Sequence, residues 1–438
     1  PRWLALDAHR RFLVAHAERS YWGNTWLLER AGEPLWCVLE GEYGMHNTFD
    51  LTVDMAFYEL VRNPWTVRNT LDFFVERYAF HDQLARPAAD AHRKGHHTFA
   101  RNPHRIFDYV TPPAEIGLPG GISFCHDQGV NGHFTAPGTS SYESSRLAGC
   151  FSHMTCEQLY NWILVAAGYW RATRDTRWLH ERAPVIRACL ASALNRDDPL
   201  PARRNGLNGL DSTRCEGGWE ITTYDSLDPS LGQARNNLYM GVKGWAAYVG
   251  LGDMLVALND AANAAEAIAG AQRAAAAVAA KFDAKLGYIP AVFEYGNTSA
   301  IIPAIEGLVY PLAWGMADVV AKDGPYAGMI AALDKHLRAI LKTGTCLCAD
   351  GGWKLSSTSD NTWVSKIFLS QVVAERVFGI TAAPDSHAAH AHWQQVGCAD
   401  WAMTDQIIKG THTGSRYYPR CVTADLWLHP TITPSSTC

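Results

Sequence analysis

The sequence predicts an all-α protein, an (α/α)6 toroid of about twelve helices with its long loops at one end. Three observations predict it. Apolar residues recur at helical spacing in segment after segment, and few stretches alternate as strands do. The connections between those segments alternate between short and long. No Gly/Ser-rich or Pro-rich linker interrupts the run, so residues 1-438 are expected to form one domain.

Residues 6-19, 51-62 and 65-81 read as the first helices. Residues 155-174 carry Leu159, Trp162, Ile163, Ala166, Ala167 and Trp170 at helical spacing, and Thr155 to Gln158 fits a capping box. The same periodicity marks 176-194, 232-258, 260-282, 306-321, 326-342, 362-378 and 386-397. Short turns at Asn63-Pro64, Asp175, Asn259, Lys322 to Pro325 and Gly379 to Asp385 make antiparallel pairs. Every other connection is long: 20-50, 82-154, 195-231, 283-305, 343-361 and 398 onward. Strict alternation places all the long loops at the same end of a ring. Loops this long inside a compact domain carry function.

Composition excludes several classes. Hydrophobic residues make up 47% and charged residues 18%, enough for a large core and unlike a disordered chain. Lys plus Arg is 38 against 43 for Asp plus Glu, without the basic excess of a nucleic-acid binder. No uncharged apolar run approaches the ~20 residues of a membrane span. The Ala-rich stretch 261-280, for example, is broken by Glu266 and Arg273. The 11 cysteines form no CxxC pair or zinc spacing and read as buried thiols of a reducing compartment. GxGxxG, P-loop, HExxH and GxSxG motifs are absent. His126 and His133 lack a completing ligand set, so no metal or organic cofactor is expected.

The long loops gather one kind of chemistry. Glu40-Gly41-Glu42-Tyr43, His46, Asn47, Thr48 and Asp50 lie in the first, and His126-Asp127-Gln128-Gly129 in the second. Asp211, Arg214, Glu216, Glu220, Tyr224, Asp225 and Asp228 lie in the third. Asp350-Gly351-Gly352-Trp353-Lys354 and Arg416-Tyr417-Tyr418-Pro419-Arg420 follow. Glycoside hydrolysis needs this mixture: two carboxyl groups about the scissile bond, aromatic faces for the sugar, and polar groups for its hydroxyls. The 16 Trp and 17 Tyr fit a stacking surface, with Trp219 and Trp353 as its candidates. Composition alone does not pick the carboxyl pair.

Several long runs carry a resemblance. Val38-Leu39-Glu40-Gly41-Glu42-Tyr43 continuing to Asn47-Thr48-Phe49-Asp50 is similar to glycoside hydrolase family 52, the β-xylosidases. So are Gly209 to Arg214, Glu220 to Asp228, Gly232 to Asn237, Ile302 to Leu308, Asp350 to Lys354 and Tyr417 to Arg420. Family 116 β-glucosidases are more distantly similar. The resemblance implies a retaining β-xylosidase acting on short β-xylo-oligosaccharides, with Glu40 as nucleophile and Asp225 as acid/base. The family 116 similarity implies sugar contacts from Asp50, His126, Asp127, Thr223 and Arg420, and Asn47 and Trp353 are further candidates for substrate binding. Asp225 is expected to have a raised pKa. Glu42 remains a rival nucleophile, and Asp228 and Asp211 rival acids. A β-glucosidase with the same pair, or a non-catalytic sugar-binding fragment, are the alternatives.

The resemblance also implies an N-terminal β-sandwich ahead of the ring. This chain opens on Pro1 without it, so it is expected to be a fragment of a longer two-domain enzyme. A bacterial cytoplasmic location and a homodimer are further expectations. One departure stands out: Gly44 occupies a position where the family more often has Arg.

Overall fold

The computed structural model describes residues 2–88, 93–94, 108–109, 113–145, 151, 154–215, 231, 235–294, 296–396 and 402–432. Segments that are buried on nearly every side form an inner wall. They are the helices Phe49–Arg62, Thr155–Thr173 and Leu238–Ala257, and the 3₁₀ run Ile302–Leu308 continuing into Val309–Ala313. The helix Val364–Val373 and the 3₁₀ helix Pro419–Trp427 complete it. Each packs on the next, and Pro419–Trp427 packs back on Phe49–Arg62 to close the ring.

Segments with one buried stripe form the outer layer. These are Ala8–Trp22, Pro64–Phe73, Thr176–Asp197, Ala261–Ala280, Ala327–Ile340 and Pro384–Gln395. In Ala261–Ala280 the stripe is small: Ala264, Ala267, Ala271, Ala274, Ala275 and Val278. That lets the helix lie so close to its inner partner that a Cβ at Gly270 would sit 2.7 Å from the Tyr248 ring.

Six inner and six outer elements give the expected toroid. The expected alternation is present as well. Short turns leave the C-terminal ends of the inner elements, and every long loop feeds the N-terminal end of one. Among the described residues, no helix is long and apolar enough to cross a membrane. Cys37, Cys125, Cys189 and Cys421 are buried free thiols, and the free thiol of Cys348 is half-buried.

Four elements differ from expectation. The element that closes the ring, Pro419–Trp427, falls in the tail read as loop; a 3₁₀ helix repeats every three residues and escapes a 3.6-residue pattern. The segment 306-321 is broken by Gly315 at φ +76°. The segment 65-81 ends as a helix at Phe73, passes through a π turn at Phe74–Tyr78 and becomes a strand at Ala79–Arg86. That strand pairs antiparallel with Glu115–Phe124. The helix expected from 232 starts at Leu238, where the Asn237 side chain accepts from Met240 N at 2.7 Å. The expected capping box at Thr155 is absent: the N-cap is Met154, without a side-chain cap.

Candidate active site

A hairpin delivers the first acidic residue. Thr25–Arg30 and Glu33–Val38 pair antiparallel, and the chain then makes the tight 3₁₀ turn Gly41–Tyr43. Gly41 at φ +53° and Gly44 at φ +66° flank that turn in the left-handed region. A Cβ at Gly44 would stand 2.7 Å from Asn131 Oδ1, so this backbone explains glycine where an arginine was expected.

Glu40 emerges at the loop end of the ring. Thr48 Oγ1 donates to Oε2 at 2.7 Å and Tyr418 Oη donates to Oε1 at 2.8 Å. Burial pushes the Glu40 carboxyl up to about 7, and the Asp50 charge adds to it; His126, Thr48 and Tyr418 oppose the shift. Glu42, the rival, points outward into a bidentate pair with Arg416, which holds its pKa below the usual range.

Asp50 stands in the first turn of Phe49–Arg62, where the helix N-terminus favours a carboxylate. His126 Nε2 lies 3.4 Å from Asp50 Oδ1, and His126 Nδ1 lies 2.9 Å from Asp127 Oδ2. Burial alone would lower the His126 pKa. The hydrogen bond to Asp127 and the charges of Asp50, Asp127 and Glu40 instead push it up to about 9, so the ring carries a proton at neutral pH. Burial raises the Asp50 pKa, against the pull of His126 and Arg420.

Arg420 enters from the closing 3₁₀ helix. Its Nη2 and Nε bind Asp405 Oδ2 at 2.6 and 2.9 Å. Asp405 also accepts from Ser365 N at 2.7 Å, anchoring Val364–Val373 at its start. Arg420 stacks on Trp363 at 4.6 Å, and its Nη1 is 3.7 Å from Asp50 Oδ2. Among the described residues, Asp50 Oδ1 and Arg420 Nη1 complete no hydrogen bond although both are buried. Such atoms are suited to receive ligand hydroxyls.

One turn deeper lies a second tier. Lys366 Nζ bridges Asp54 Oδ2 at 2.7 Å and Glu306 Oε1 at 2.8 Å. Lys243 Nζ reaches Glu157 at 3.1 Å and Glu306 at 3.8 Å. Tyr239 Oη donates to Glu157 at 2.6 Å. Burial, reinforced by the Glu306 charge, raises Asp54 to about 6 against the pull of Lys366.

The structure brings Glu40, Asp50, His126, Asp127 and Arg420 together. Asn47 holds the loop: its Nδ2 donates to Trp36 O and Gln128 Oε1, and its Oδ1 accepts from Val38 N. Both amide hydrogens are engaged in holding the loop. Asp127 likewise accepts from Gly129 N, Ser141 N and Ser141 Oγ and orients His126. Trp353 is buried under the outer helix Pro384–Gln395, its backbone N–H donating to His390 Nε2, and none of the cluster contacts above includes it. Thr223, Asp225, Trp219, Glu216, Glu220 and Asp228 lie outside the described residues. Asp211 pairs with Arg235 at 3.1 Å.

Sequence reasoning missed Asp54, Glu157, Lys243, Glu306, Lys366, Asp405, Tyr418 as a partner of Glu40, and the aromatic wall of Trp363. A signal existed for some of them: a lone charge in the first two turns of an otherwise apolar helix.

A closed ring of paired helices with buried carboxylates at its loop end defines the class: a helical toroid. A solved α-mannosidase from Streptococcus pneumoniae has the same fold, at TM-score 0.53 and 10% identity, covering 96% of this chain and 94% of that one. Residues 3–169 match the model of Glycosyl hydrolase family 52. A β-xylosidase of Geobacillus stearothermophilus is 47% identical over 430 residues, 97% of this chain and 57% of that protein. A second β-xylosidase of the same organism is 43% identical over 267 residues, 61% of this chain and 39% of that protein. The family match and both relatives support glycosyl hydrolase family 52 for this chain. The chain spans little more than half the length of the first of these relatives and less of the second.

Proposed function

We propose that the chain is the catalytic ring of a retaining β-xylosidase that releases xylose from short β-xylo-oligosaccharides. The observation that carries this is the 47% identity to a β-xylosidase over 97% of the chain. Glu40 attacks the anomeric carbon; one C–O bond forms as the glycosidic C–O bond breaks. Asp225 gives its proton to the leaving oxygen. Asp225 then takes a proton from water, the water oxygen bonds to the anomeric carbon, and Glu40 leaves as a carboxylate. Asp50 and Arg420, each with an open polar atom, receive the sugar hydroxyls, and His126 keeps positive charge beside the Glu40 carboxylate.

The reading predicts a carboxyl separation of roughly 5–5.5 Å between Glu40 and Asp225. The experiment compares aryl β-xyloside with aryl β-glucoside and follows the first-formed anomer by NMR. The expected outcome is xyloside preference with β-xylose formed first. Glu40→Gln should lose at least a thousandfold in kcat, the order expected when a catalytic nucleophile is removed. First-formed α-xylose would exclude the double displacement. Binding without turnover by folded wild-type chain would favour a sugar-binding module.

A further inference from the structure

The Glu40 carboxylate is held on both sides. Thr48 donates to one oxygen and Tyr418 to the other, at 2.7 and 2.8 Å. Tyr418 is 1% exposed. It is wedged edge-on against Tyr43 at 6.5 Å and tilted against Trp363 at 5.7 Å, and its backbone N–H donates to Met403 O at 3.0 Å. Burial and the Glu40 charge keep its hydroxyl protonated far above the ordinary phenol range.

The neighbouring residues lace the same two segments together. Arg416 grips the Glu42 carboxylate through Nε at 3.0 Å to each oxygen, and its backbone N–H donates to Glu42 Oε2 at 2.9 Å. Glu42 N donates to Ser415 Oγ at 2.5 Å. Between them, Gly41 leaves no room for a Cβ against Ser415 and Arg416 O. The loop 40–44 and the segment 415–418 are therefore joined at alternate residues: Glu40 to Tyr418 in the interior, Glu42 to Arg416 at the surface.

We infer that Tyr418 is a positioning residue for Glu40, and that 415–418 is a strap fixing the nucleophile loop. This rests on Glu40 being the nucleophile. A phenol donates a stronger hydrogen bond to a carboxylate than to an ester. Tyr418 therefore favours the states in which Glu40 is a free carboxylate. The second half-reaction regenerates that carboxylate: water bonds to the anomeric carbon, the C–O bond to Glu40 breaks, and its electron pair stays on Glu40. Losing the Tyr418 hydroxyl slows that step most.

The test is Tyr418→Phe with a dinitrophenyl β-xyloside. The expected result is a burst of phenolate matching the enzyme concentration, then turnover slowed roughly 10- to 100-fold. KM should fall with kcat, and the acid limb of kcat/KM should move to higher pH. A filler of space would lower thermal stability and give neither burst nor limb shift. Arg416→Ala, exposed and outside the core, serves if Tyr418→Phe does not fold; it should cost several-fold in kcat. Wild-type kinetics in whichever variants fold overturn the inference. Azide supplies the separate check on Glu40: it should revive E40A and form α-xylosyl azide. No revival removes the Glu40 reading and the Tyr418 inference with it; revival beside wild-type kinetics in Tyr418→Phe removes only the inference.

Discussion

Asn47 and Asp50 sit in one short motif and do different work. Asp50 keeps a buried oxygen that completes no hydrogen bond among the described residues, whereas Asn47 is engaged by Trp36, Val38 and Gln128. Asp127 has the same kind of role one shell away, since its oxygens hold Ser141, Gly129 and His126. A motif fixes which residues come close, but not which way each side chain turns, and so all three looked alike in the sequence. The partners make a prediction. Asp127→Asn keeps the size and removes the charge that holds His126 protonated. The His126 pKa should then fall from about 9, visible in an NMR titration of its imidazole. Glu40 loses a nearby positive charge, so the acid limb of kcat/KM should move upward. An unmoved His126 titration would show that Asp50 and Glu40 alone keep the proton there.

At the scale of the element, the inner helices combine apolar walls with buried charges on the axis. Asp54, Glu157, Lys243, Glu306 and Lys366 are all 1 % exposed or less and come from five different inner elements. The hydrophobic pattern made these helices legible, because periodicity needs only the majority of positions. The charges were not legible, because a lone Lys or Glu in a helix usually faces water, and nothing local shows that its partner lies across a ring. Buried ion pairs give little net stability, but removing one partner is expensive. Lys366→Met leaves Asp54 and Glu306 facing one another without their shared cation. It should destabilise the fold by roughly 3–5 kcal/mol at pH 8. The loss should be smaller at pH 5, because Asp54, raised to about 6, can then take up a proton. Denaturant midpoints at the two pH values check this, and equal losses would mean that the tier is already neutral.

For the molecule as a whole, closure of the ring brings residue 49 and residue 427 into one wall, so stability depends on charges contributed from both ends of the chain. His336, His387 and His390 are pushed down by burial to about 4, 4 and 3. Each binds its proton more readily when unfolded, so its contribution is present above about 6.5 and is lost as pH falls toward the folded value. Glu40 and Asp54, raised to about 7 and 6, act in the opposite direction, as do Asp50, Glu59 and Asp197, which burial also raises, whereas carboxyls held low by cationic partners, such as Glu42, Asp198 and Asp360, add to the loss toward acid. His126, raised to about 9, adds stability below about 6.5 that disappears as pH rises through 9. Thermal stability should therefore peak near neutral pH and fall on both sides, more steeply toward acid. His390→Gln should flatten the acid side. The amide oxygen can still accept from Trp353 N, as His390 Nε2 does at 2.9 Å, and the group no longer titrates. An acid limb as steep in His390→Gln as in the wild type would assign acid unfolding to carboxylates instead.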